Sequence, residues 1–93
     1  MADFRPATLN GVNGEARAQF RNGTDGRLDG TFSSTSRRFP DLADTQHPIV
    51  FEGVAFDGDK AYHVMIPVQI TRTELPRVVH FASLGKPSKI EAI

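Results

Sequence analysis

Apolar and polar residues alternate with a period of two along much of this chain. In residues 15–21, Ala16, Ala18 and Phe20 fall on one side, and Glu15, Arg17, Gln19 and Arg21 fall on the other. Side chains of a strand point alternately to its two faces, so the segment reads as a half-buried strand. Residues 27–33 continue the pattern, with Leu28 and Phe32 inward and Arg27, Asp29, Thr31 and Ser33 outward. Residues 22–26 fit a hairpin loop between the two, and a shorter strand is predicted near residues 7–12. The clearest pair is residues 49–56 with residues 61–70, around Asp57-Gly58-Asp59-Lys60. A two-residue or a four-residue loop puts Ile49, Phe51, Gly53 and Ala55 on one face with Tyr62, Val64, Ile66, Val68 and Ile70. That face should be core. The other carries Val50, Val54, Phe56, Ala61 and Met65, interrupted by Glu52 and His63, which should share a face. Pro67 has no N–H to give a ladder, which predicts an edge or a bulge there.

Turn signals agree with this reading. Six of the eight glycines follow Asn or Asp. Asn-Gly and Asp-Gly suit type I′ hairpin turns, whose two central residues both need positive φ. Asp29-Gly30 sits inside a predicted strand, where it reads as a loop or a bulge.

A sheet that is apolar on both faces is usually covered on both. The spacing of Leu75, Val78, Val79 and Ala82 predicts a helix over residues 74–84. Thr73 is placed to cap it, Pro76 lies in its first turn, and Gly85 and Pro87 stand beyond its end. The fold class expected is therefore α+β: an antiparallel sheet of about four or five strands with one C-terminal helix against it. The alternative is an all-β barrel or sandwich, in which residues 77–84 form another strand and residues 88–93 pair with it. Residues 34–48 show no alternation, and loops longer than about 12–15 residues are uncommon and often functional.

Composition narrows the function more by exclusion than by indication. Ninety-three residues, 39% hydrophobic and 24% charged, suit a single globular domain spanning residues 1–93. There is no cysteine, hence no disulfide and no thiolate metal site. Residues 1–6 lack the apolar core of a secretory signal, and no apolar run approaches the roughly 18–20 residues of a membrane helix. The expected location is the cytoplasm, with no membrane contact. Net charge is zero in each half of the chain as well as overall. That argues against a nucleic-acid partner, because non-specific binding rests on surplus positive charge.

No catalytic pattern is present, and no cofactor is expected: there is neither a Gly-rich phosphate loop nor a nucleophile elbow. Asp41, Asp44 and His47 could meet on one side of a short turn and hold a divalent ion, but capping and solvation in a polar loop is the preferred account of them. Arg17, Arg21 and Arg27 share the outer face of the first hairpin, but Phe20 and Phe32 point away from it, so no aromatic platform for stacking bases is expected there. The first reading is a non-catalytic protein-interaction or ligand-binding module that pairs with itself or with another protein. Its candidate binding residues are Arg37, Arg38 and His47 in the long loop, and Phe56 near a homodimer interface. The second reading is a weak nucleic-acid or anion binder using the Arg-bearing face. The third is a small metal-dependent enzyme using residues 34–48.

Overall fold

The described residues form seven β-strands, six of which close on themselves, and contain no helix. This computed structural model describes residues 4–21, 27–37, 48–74 and 77–93. The strands are β1 (Arg5–Leu9), β2 (Val12–Phe20), β3 (Leu28–Ser33), β4 (Ile49–Asp57), β5 (Lys60–Glu74), β6 (Val78–Ser83) and β7 (Lys89–Ala92). Antiparallel pairings run β1–β2–β3–β6–β5–β4 and back to β1, a six-stranded barrel, with β7 added along part of β5. Because β1 is short, β2 and β4 meet directly beyond it in a parallel patch, Ala18 opposite Ala55 and Gln19 opposite Phe56.

The inner face is the one the alternation predicts. Leu28, Phe32, Phe51, Ile66 and Phe81 are among its buried side chains. Phe51 and Phe81 stack at 4.8 Å between ring centroids, and Phe20 meets Tyr62 edge-on at 6.2 Å. Gly30 lies within β3, opposite Ala18 on one side and Phe81 on the other, and a Cβ there would stand 2.8 Å from the Phe81 ring. It is neither a loop nor a bulge residue: the close approach of ring and strand is what requires glycine.

Two tight turns set the registers. Asn10 and Gly11 both have positive φ, 51° and 78°, as the type I′ turn closing Leu9 on Val12 requires. The second hairpin turns on Gly58-Asp59, one residue later than an Asp57-Gly58 turn would, with φ +62° at Gly58 alone, the type II′ preference. Glu52 therefore lies opposite Met65 and His63 opposite Val54. Glu52 and His63 still share the outer face as diagonal neighbours, with Oε2 and Nε2 3.9 Å apart.

The predicted C-terminal helix is not there. Residues 78–83 form β6, with Val79, Phe81 and Ser83 buried and Val78, His80 and Ala82 half-buried on the outside. The same residues that fit a helical spacing also alternate, and β-branched and aromatic side chains favour the strand. The tertiary reason is stronger: β3 and β5 each need a partner on a remaining edge, and β6 supplies both. The count is seven strands rather than four or five, which matches the all-β alternative. Residues 89–92, however, pair with Tyr62–Met65 of β5 and not with β6.

Pro67 sits where this edge of β5 changes partner. Its carbonyl accepts the Leu84 N–H at 3.0 Å, in the stretch that crosses from β6 to β7, so the missing N–H falls at a break between two ladders. Among the described residues no helix covers the outer face of β4 and β5. Val50 is 47% exposed there, while Phe56 is only 8% exposed, with the Arg5 guanidinium 5.8 Å above its ring. No helix among the described residues is long and apolar enough to cross a membrane.

Candidate anion-binding face

Strand register lines up outward side chains in rows that run across the barrel. One row is Arg17 of β2, Thr31 of β3, His80 of β6 and Arg72 of β5, each opposite the next. Strands lie about 4.8 Å apart, so the row extends about 14 Å. Arg17, Thr31 and His80 border a trough of about 530 Å³ on the outer surface that also takes in Gln19, Arg21 and Asp29; Arg72 does not line it.

Arg72 joins this row because of an irregularity. Inward positions on β5 are even-numbered, Val64, Ile66 and Val68 being buried and Ile70 packed against the core. Strict alternation would send Arg72 inward too. The register shifts between Ile70 and Arg72, leaving Thr71 as the extra residue, and Arg72 comes out opposite His80. Thr71 holds the bulge by donating its hydroxyl to the His80 carbonyl at 3.3 Å.

The polar groups of the row are linked. His80 Nε2 lies 3.0 Å from Glu74 Oε1, and Nδ1 lies 3.3 Å from Thr31 Oγ1. A ring that donates Nε2–H to the carboxylate has Nδ1 free to accept from the threonine hydroxyl. Arg72 donates to the same Glu74 oxygen. At the other end, Arg21 Nε donates to Asp29 Oδ2 at 2.6 Å. Two carboxylates thus offset two of the three guanidinium groups. Among the described residues Arg17 has no carboxylate partner; its guanidinium stands 5.4 Å from the ring centroid of Phe4, which is 43% exposed.

Thr31, His80 and Glu74 are arranged in the order hydroxyl, imidazole, carboxylate, the order of a nucleophilic site. What such a site also needs is a pair of donors for the developing oxyanion. Thr31 lies mid-strand with β2 on one side and β6 on the other, so the amides around it are engaged in ladders. The arrangement instead forms a polar link across three strands that fixes side-chain donors above the sheet.

The structure places the predicted site residues unevenly. Arg17, Arg21 and Arg27 are outward and exposed, as expected, and the first two border the trough. Arg37 is exposed in the turn after β3 and does not line it. Arg38, His47, Asp41 and Asp44 lie outside the described residues, as does the 22–26 loop. Phe56 is buried beneath Arg5. Missed from sequence were His80, assigned to a helix, Arg72, hidden by the bulge, and Phe4, an aromatic residue that does stand beside the Arg face. Among the described residues no group of three or more His, Cys, Asp and Glu side chains is set to hold a metal ion. Comparison with protein-family models, with curated proteins and with solved structures finds no match to this chain.

Proposed function

We propose that this domain is a non-catalytic binding module that takes a compact anionic group on the outer β2–β3–β6–β5 face. The observation that carries this reading is the row Arg17–Thr31–His80, in which a guanidinium without a carboxylate partner among the described residues stands beside a hydroxyl and an imidazole fixed from behind. Guanidinium suits such a group because its forked donors match phosphate and carboxylate oxygens. Asp29 and Glu74 stand on the same face and oppose a long polyanion, which favours a small anion or a single acidic group over a nucleic-acid strand. Zero net charge works in the same direction.

The test is a titration with inorganic pyrophosphate followed by amide and arginine Nε–H chemical shifts. Saturable shifts confined to Arg17, Thr31, His80 and their neighbours are expected. Arg17→Gln should weaken them at least tenfold, since hydrogen bonds to charged groups contribute about 1.5–3 kcal/mol. Absent or scattered shifts, or shifts unchanged in Arg17→Gln, would refute the reading. A single-stranded oligonucleotide that binds more tightly than pyrophosphate would replace it with the polyanion reading.

A further inference from the structure

A closed barrel leaves no strand edge free, but β7 lies outside the ring. Among the described residues it is the one strand with a single partner strand, β5, so its other edge is open along its whole length. It is also exposed along its whole length, with Ile90 40% exposed, and Ile93 just beyond its end is 76% exposed. An open edge offers backbone donors and acceptors to another strand. Which groups point outward follows from the ladder to β5. Ile93 donates its N–H to the Ala61 carbonyl at 3.0 Å. By alternation along the strand, residues 89 and 91 also turn their backbone groups to β5, and Ile90 and Ala92 turn theirs to the free edge.

From this geometry we infer that β7 pairs antiparallel with β7 of a second copy of this chain, on a twofold axis at Ile90. In that register Ile90 exchanges both backbone hydrogen bonds with the partner's Ile90. Lys89 then stands opposite the partner's Glu91, and Glu91 opposite the partner's Lys89. These are the non-hydrogen-bonded pairs, where Cα atoms approach to about 4.5 Å and side chains are closest. The segment Lys89-Ile90-Glu91 is thus self-complementary in charge about its own centre. Within one chain Lys89 Nζ already pairs with Glu91 Oε1 at 3.3 Å, so both charges stand on one face, ready to exchange partners. The twofold makes the contact isologous and uses up both free edges, so assembly stops at two. Pro87, with no N–H to give, limits extension of the pairing beyond the start of the strand. A contact this short belongs with weak, concentration-dependent interfaces. It is independent of the trough and of the anion it is proposed to bind.

Sedimentation equilibrium up to about 1 mM, the range of weak contacts, tests the pairing. The full chain should move from the monomer mass towards twice that mass as concentration rises. Lys89→Glu alone and Glu91→Lys alone each place like charges opposite one another and should hold the protein monomeric. The double exchange, Lys89→Glu with Glu91→Lys, should restore the dimer. All three variants change only exposed side chains, and circular dichroism confirms that each is folded. A wild-type chain that stays monomeric to 1 mM overturns the inference. So does a dimer indifferent to the single reversals, or one that the double exchange fails to restore.

Discussion

Replacing Gly30 with alanine should destabilise the barrel sharply, although glycine-to-alanine changes within strands ordinarily stabilise by about 0.5–1 kcal/mol. The new Cβ would lie 2.5 Å from the Arg17 carbonyl oxygen, 2.8 Å from Phe81 Cζ and 2.9 Å from Ala18 Cα. Comfortable separations are about 3.5–4.0 Å, so something must yield by roughly 1 Å. Two of the three neighbours are β2 backbone, held in register with β3. The third is a ring stacked on Phe51 and 1% exposed, with little room to turn. Overpacking in a filled core costs about 1–3 kcal/mol, and backbone obstruction puts this case at the upper end. For a domain of this size a loss of 3 kcal/mol corresponds to a fall in Tm of about 12–24 °C. Guanidinium denaturation followed by circular dichroism measures it, with Gly85→Ala as control: nothing lies within 4 Å of that Cβ and its stability should change by less than about 0.5 kcal/mol. Phe81→Leu in the Gly30→Ala background should return part of the loss. A Gly30→Ala protein as stable as wild type would refute the packing argument.

Ser83→Ala should cost about 1–3 kcal/mol, because its buried Oγ accepts the Leu28 N–H at 2.9 Å and that donor would be left without a partner; the same denaturation curves report it. Asn10→Ala should destabilise by about 1 kcal/mol and Asn10→Gly by much less, since φ is 51° there and only glycine takes it without penalty. Glu52→Gln should change stability by less than about 0.5 kcal/mol, the Glu52–His63 pair being 3.9 Å apart and open to solvent. Arg37→Ala should leave both the melting temperature and the pyrophosphate-induced shifts unchanged, since Arg37 is exposed and stands apart from the trough.

Much of the barrel was legible because strand faces depend only on parity. The second hairpin turns one residue later than the Asp57-Gly58 alternative, which moves each partner by two positions and leaves every side chain on its predicted face. That is why Phe51 and Ile66 were correctly placed inside although their exact pairing was open. β6 was misread because its inner row, Val79, Phe81, Ser83, contains a serine. Ser83 is inward because its hydroxyl satisfies a backbone N–H of β3, a partner 55 residues away that no local pattern reveals. The row that makes the candidate site was illegible for a related reason. It depends on the β3–β6 and β5–β6 registers and on the bulge at Thr71, whereas single-strand alternation would have buried Arg72. Outward Arg17 on β2, and Arg21 just beyond its end, needed only the period of two.

Closure also decides where a ligand can be met. Barrels of about eight strands are just wide enough to be filled by side chains or to hold one small molecule. A ring of six is narrower, and here Phe32, Phe51 and Phe81 fill it. The proposed recognition therefore uses the outer surface, where the side chains on offer are those the core does not use. Because outer and inner residues alternate on the same strands, the register that stacks Phe81 over Phe51 also sets His80 between Thr31 and Arg72. A shift of β6 by one residue would bury His80 and expose Phe81 together. The face proposed to bind an anion is thus held in place by the free energy of the core, and its geometry does not need a ligand to form.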